Sequence, residues 1–164
     1  MRRAAAALLL LTASAVAGDR APSAFVADCF EGPVPSQSRL AIAGALRDEA
    51  TRVLGHPPPA ALPYWRRGVR TAWVLEEIGK ERPITAGFAI EHGRLIRVEV
   101  LAYRESRGWE VRLPAFTRQF TGAGLASDRE LDRRIDNISG ATLSVGALRR
   151  MARAALLFDH AVTA

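Results

Sequence analysis

Two hydroxyls and a glycine stand together in Asp136-Asn137-Ile138-Ser139-Gly140-Ala141-Thr142, directly ahead of a stretch with helical period. A hydroxyl at the mouth of a helix has two uses. Its oxygen can cap the helix by accepting one of the backbone N–H groups that the first turn leaves unpaired. It can also carry a substituent, because those N–H groups and the positive end of the helix dipole suit an anion, a phosphate above all. Gly140 allows a tight turn and a close approach to a ligand. Ser and Thr are standard N-caps, so on these grounds alone the cap is the simpler reading and a phosphate is permitted rather than required.

The helix behind this knot is expected from about Leu143 to Phe158. Leu148, Met151, Ala152, Ala155 and Phe158 share a stripe, with Arg149, Arg150 and Arg153 on the other side. Docking by the apolar stripe would leave Thr142 facing outward, within reach of a modifying enzyme.

The elements that must hold this helix are legible upstream. Residues 39–54 have helical period, with Ile42, Ala43, Leu46, Ala50, Val53 and Leu54 on one face. Ser36 or Ser38 could cap that helix, Gly55 suits its left-handed end, and Pro57 forbids continuation. The loop over 56–68 holds Pro57, Pro58, Pro59 and Pro63, with Tyr64 and Trp65 to pack it against the core. The period then becomes two. Residues 71–78, 84–91 and 95–103 read as strands, with His92-Gly93 as a hairpin turn. In the third strand Ile96, Val98 and Val100 are expected on the buried face. Residues 105–111 are irregular, and 113–120 form a short helical turn with Phe116 and Phe120 at i, i+4. Residues 121–137 are a polar loop with room for one helical turn. The fold class is α+β: N-terminal helix, antiparallel sheet, irregular region, C-terminal amphipathic helix.

The chain opens with Met1-Arg2-Arg3, an apolar run over 4–11 and small residues ending in Ala15-Val16-Ala17. This is the pattern of a cleavable signal peptide over 1–17. Its fourteen apolar and small residues fall short of the ~20 that span a bilayer, which argues against an anchor. Residues 18–38 read as an irregular N-terminal segment and 39–164 as one domain. The net charge is +6, and only Lys80 among 23 basic residues is a lysine. The arginines are interspersed with acids, so nucleic acid is not an expected partner. The lone Cys29 has no partner for an internal disulfide, and C-x-x-C and H-x-x-H spacings are missing.

Asp136 through Thr142 resembles the D-x-x-[ST]-G-A-T flavinylation motif of FMN-binding domains, among them periplasmic subunits of the sodium-pumping NADH:quinone reductase and of the Rnf complex. Three further elements follow the family's order. The hairpin at Gly93-Arg94-Leu95-Ile96 looks like its G-x-I strand pair. Glu105-Ser106-Arg107-Gly108 resembles its E-T-x-G, with Ser for Thr, and Gln119-Phe120-Thr121-Gly122 its Q-F-x-G. The four elements lie within roughly residues 70–160.

The resemblance implies that a flavin transferase, using FAD and Mg²⁺, joins FMN through its phosphate to Thr142. Asp136, Ser139, Gly140 and Ala141 would serve recognition and the phosphate, with Leu143 and Ser144 following at the helix start. Glu105 and Ser106 match positions near the flavin, and Gln119 and Phe120 match by motif. Trp109 is an added candidate: an aromatic after the Gly108 turn could stack on isoalloxazine or pack in the core. Arg107 and Arg112 could offset the charge of a reduced flavin. A tether keeps the cofactor of an exported protein at high effective concentration. The irregular region between sheet and last helix would then be the flavin-binding region. The expected protein is a periplasmic, membrane-peripheral electron carrier between a membrane donor and another redox partner. The alternatives are a non-covalent FMN-binding module and a flavin-dependent reductase of a small acceptor.

Overall fold

A computed structural model describes residues 18–164. The signal peptide expected over 1–17 lies outside the described residues. Five strands form one antiparallel sheet in the order β1 (Gln37–Ala41), β2 (Ala61–Arg67), β3 (Arg70–Ile78), β4 (Pro83–Glu91), β5 (Arg94–Tyr103). Helices α2 (Gly44–Leu54) and α4 (Thr142–Thr163) cover one face, where Trp73, Phe88, Ile90 and Leu95 join Leu148, Met151 and Phe158 in the main core. Helix α1 (Pro22–Cys29) covers the other, packing Phe25, Val26 and Cys29 on Ala72, Ala89 and Leu101. The α+β architecture with an antiparallel sheet and a C-terminal helix is therefore the observed one. Among the described residues, no helix is long and apolar enough to cross a membrane.

Three central strands form where period two placed them. His92 and Gly93 both take positive φ, 52° and 69°, the backbone of a two-residue I′ hairpin turn. The alternation in β5 is broken twice: Thr85 pairs with Ala102 but Ala86 with Val100, which leaves Leu101 as an extra residue, and a second break lies nearer the hairpin. Ile90 pairs with Leu95 but Ala89 with Arg97, so Ile96 is the extra residue of a bulge. The bulge turns Ile96 outward to 36% exposure and hands its inward place to Leu95.

The N-terminal third departs further from the sequence reading. Residues 18–38 are not irregular throughout. Pro22 starts α1, whose eight residues bury only Phe25, Val26 and Cys29, too few for a visible period. The Phe25 ring fills a gap in the sheet: a Cβ on Gly87 would stand 2.5 Å from it. The helix expected over 39–54 covers only its second part. Residues 39–41 belong to β1: Leu40 and Ile42 keep the i, i+2 spacing of a strand, while Ile42 with Leu46 also keeps the i, i+4 spacing of a helix. Ala43 holds the N-cap place without a side-chain hydrogen bond, so neither Ser36 nor Ser38 caps it. Gly55 does take the left-handed C-terminal position, at φ 83°. The Pro-rich loop gives way to β2 at Ala61. Pro63 is tolerated because β2 pairs with β3 only from Tyr64 onward, so its missing N–H breaks no bond on that side. Tyr64 stacks on Trp73 with ring centroids 5.0 Å apart.

Helix α4 is longer than its sequence stripe, 22 residues ending at Thr163. Ala154 through Asp159 are all buried, so the helix runs through the core rather than over it. Its arginines are not simply solvated. Arg150 reaches the buried Glu77 at 3.2 Å and Arg153 reaches Glu130 at 2.9 Å. Between sheet and α4 lie a 3₁₀ turn (Trp109–Arg112), α3 (Pro114–Thr117) and a second 3₁₀ turn (Arg118–Phe120). Phe116 and Phe120 meet edge to face at 5.8 Å. The polar loop after them has no helical turn; it closes on itself through a Leu125–Leu131 bridge.

Candidate functional site

The site is assembled from two loops pressed against the start of α4. Glu105, just past the end of β5, sends its Oε1 into the turn between β3 and β4. There it accepts backbone N–H bonds from Lys80, Glu81 and Arg82 at 2.5, 2.7 and 3.0 Å. These bonds, Arg82's foremost, hold the carboxyl below its ordinary pKa, because they favour the charged form. Gly79 makes the approach possible: a Cβ there would lie 2.9 Å from the same oxygen and 3.3 Å from Ser144 Oγ.

Gly108 seats the second contact. It takes φ 82°, and a Cβ on it would stand 2.7 Å from the Tyr103 hydroxyl and 2.9 Å from Ala141 Cβ. The loop therefore touches the residue before Thr142. The Tyr103 hydroxyl bonds the Arg107 carbonyl and lies 2.9 Å from Ser144 Oγ, which ties strand, loop and helix together. Burial raises the Tyr103 pKa, so the hydroxyl keeps its proton at neutral pH.

The knot itself is fixed from below. Gln119 Oε1 accepts the Asp136 N–H at 2.8 Å, and the Ile138 carbonyl accepts the Ala141 N–H at 2.9 Å. Gly140, at φ 80°, turns the chain with open space around it. The first bond across the helix mouth runs from the Val145 N–H to the Ala141 carbonyl, 2.9 Å. The N–H groups of Thr142, Leu143 and Ser144 lie ahead of it. Ala141 occupies the N-cap place, and no side chain caps the helix. The capping role considered for Ser139 and Thr142 is thus not the one they play. Ser139 is exposed, and Thr142 is the first helical residue, its hydroxyl accepting a 2.9 Å bond from the Asn137 side-chain amide.

A cleft of about 570 Å³ opens over this helix mouth. Seven of the candidate residues line it: Glu105, Ser106, Gly140, Ala141, Thr142, Leu143 and Ser144. Lys80, Glu81 and Arg107 complete the wall. Asp136, Ser139 and Gln119 stand beside the cleft without lining it; the Asp136 carboxylate is exposed, 3.3 Å from Arg134. Trp109 and Phe120 lie elsewhere. Trp109, 57% exposed, edges a separate hollow with Val98, Val100, Arg112 and Leu113. Phe120 is wholly buried in the main core, against Phe116.

Residues 79–157 match the family of the FMN-binding domain. The chain carries an FMN-binding domain. None of the curated proteins matches it. The match takes in every residue that lines the cleft, opening at Gly79 in the turn that Glu105 holds and running on to Leu157 near the end of α4. The strands and helices before Gly79 lie outside the match and complete the core.

The residues present fit an FMN phosphate. Three N–H groups stand free of helical partners, Gly140 leaves the approach open, and Lys80 and Arg107 supply positive charge at the wall. Glu81 and Glu105 in the same wall offset those two cations, so the fit rests on the backbone N–H groups and the open approach; three backbone donors already engage the Glu105 Oε1.

Four members of the site carry no motif signal in the sequence. Tyr103 fits its strand, and Glu81 is one more acid in a strand turn. Asn137 occupies an unspecified position of the resembled motif. Lys80 had one signal, as the single lysine in an arginine-rich chain and at a strand turn.

Proposed function

We propose that this FMN-binding domain carries FMN esterified through its phosphate to Thr142 and serves as an exported electron-transfer protein. One observation carries the reading. The Thr142 hydroxyl is exposed at an uncapped helix N-terminus, on a cleft that Lys80 and Arg107 line together with Glu81 and Glu105, in a chain whose family binds FMN. A flavin transferase would attach the group, and the bound flavin would accept and release electrons. The chain's own residues would hold the phosphate at the helix mouth and keep the two loops in place through Glu105 and Gly108. A membrane donor and a second redox partner would deliver and remove the electrons, with the protein in the periplasm at the membrane surface. The signal-peptide pattern of residues 1–17 supports export.

The test is intact mass after co-expression with a flavin transferase. The wild-type chain is expected to gain FMN less one water, and Thr142→Ala to gain nothing. An unchanged wild-type mass, or an adduct kept by Thr142→Ala, refutes covalent attachment at this residue. Rapid electron exchange with redox partners, without steady turnover of a small acceptor above the rate of free FMN, supports a carrier over a reductase.

A further inference from the structure

We propose that Asn137 is a positioning residue for the attachment of FMN to Thr142, an inference that rests on the covalent reading above. The Asn137 Nδ2 donates to Thr142 Oγ1 at 2.9 Å, and this is the bond that the hydroxyl makes among the described residues. Asn137 is not a loose surface side chain. The residue before it is held by Gln119 through the Asp136 N–H, and the residue after it accepts the Ala141 N–H while packing its own side chain on the main core. The amide is therefore presented from a backbone anchored on both sides, across five residues, to the one hydroxyl that opens α4.

A threonine hydroxyl has one proton and two lone pairs. Accepting the amide N–H occupies one lone pair and stops free rotation of the hydroxyl. The second lone pair and the proton are then left for the reaction partner. In the attachment step the bond between Thr142 Oγ1 and the FMN phosphorus of FAD forms. The bond from that phosphorus to the AMP half breaks, and AMP leaves. The hydroxyl proton passes to a base of the transferase, and no electrons change hands. As the proton departs, negative charge grows on Oγ1, and a bond from an amide N–H to an anionic oxygen strengthens. The same donor thus orients the nucleophile and favours its charged form. Removing one donor from a buried oxyanion site lowers turnover by ~10²–10³. Here the site is open to water, which weakens the effect, and a loss of about tenfold is expected.

The experiment uses purified, unflavinylated chain with a flavin transferase, FAD and Mg²⁺, following intact mass over time at several chain concentrations. Asn137→Ala and the similarly sized but non-donating Asn137→Leu are compared with Asn137→Gln, which retains an amide. Thermal midpoints confirm that each variant folds. The expected result is a kcat about tenfold lower for the Ala and Leu variants, with KM for the chain within about twofold of wild type, and partial recovery in the Gln variant. Wild-type rates in Asn137→Ala overturn the proposal. So does a loss confined to KM, which would mark Asn137 as a contact for the transferase. A wild-type chain that gains no mass defeats the covalent reading itself and the present inference with it, a result visible before any variant is compared.

Discussion

Replacing Gly108 by alanine tests the contact that fixes the start of α4. Two costs are expected. The residue sits at φ 82°, where an L side chain costs about 1–2 kcal/mol. The new Cβ would also stand 2.7 Å from the Tyr103 hydroxyl and 2.9 Å from Ala141 Cβ, closer than carbon atoms approach without displacement. Overpacking of this kind costs about 1–3 kcal/mol. Together they give roughly 2–5 kcal/mol, a fall in Tm of about 4–20 °C for a chain of this size. Gly140→Ala separates the two costs. It has nearly the same φ, 80°, but a Cβ there meets nothing within 4 Å, so it should lose only the backbone cost. Thermal and urea unfolding of both variants, with m unchanged, provide the comparison. Because the displaced neighbour is Ala141, Gly108→Ala should also slow flavin attachment at Thr142 more than an equally destabilising core substitution does. Equal stability loss in the two glycine variants would refute the claim that Gly108 is there for close packing and leave only its backbone conformation.

The remaining expectations concern charge and burial. Glu105→Ala should cost about 1–3 kcal/mol in urea unfolding through the turn N–H groups it releases, and Glu105→Gln less, since an amide oxygen still accepts. Glu105, held down chiefly by the Arg82 N–H, and Asp132, held down chiefly by the Gly124 N–H and then by Arg94, titrate below their ordinary values. Their stabilisation is whole above the unfolded carboxylate range of about 4 and is lost as pH falls through the folded values, so Tm should drop in acid and drop less in Glu105→Gln. Asp159 has the opposite sign: burial raises its pKa, so its contribution declines as pH rises. Asp159→Asn, which still accepts the 2.6 Å bond from the Thr71 hydroxyl, should match or exceed wild type in Tm at pH 7. Asp159→Ala should lose about 1–3 kcal/mol by orphaning that hydroxyl, itself bonded by Trp73 Nε1. Cys29 is buried and its thiol is pushed up to about 11, so native chain should resist alkylation at pH 8 and react fully once unfolded in urea.

Much of the scaffold was legible because it obeys single periods. The three central strands alternate, His92-Gly93 is turn chemistry, and Gly55 ends α2 where a left-handed residue is needed. What escaped has physical causes. Helix α1 is short, and its value lies in a tertiary fit, the Phe25 ring over Gly87, that no local pattern displays. The stretch from Arg39 mixes strand and helix because Ile42 pairs with Leu40 at strand spacing and with Leu46 at helix spacing, and pairing with β2 about twenty residues away decided the matter. The bulge that turns Ile96 outward is a property of two strands together. At the site, motif resemblance marks both the cluster around Thr142 and Glu105, but not what Glu105 does. That a carboxylate after one strand accepts three backbone N–H bonds from another hairpin is a tertiary fact without a local signature. Trp109, which the sequence offers for stacking or for core packing, is exposed and edges a different hollow from the one over Thr142.

The burial of α4 has a mechanical meaning. From Thr142 onward the chain is a single stiff rod clamped by the sheet on one side and α2 on the other. A cofactor hung from its first residue would swing on a slack arm from a stationary pivot. Breathing of the fold would then do little to widen the arc it sweeps. Twenty-two helical residues measure about 33 Å, so a partner arriving at the Thr163 end would stand that far from the pivot. Traffic of electrons would accordingly be one-sided, open to whatever approaches the mouth of the rod and closed to whatever lands on its tail.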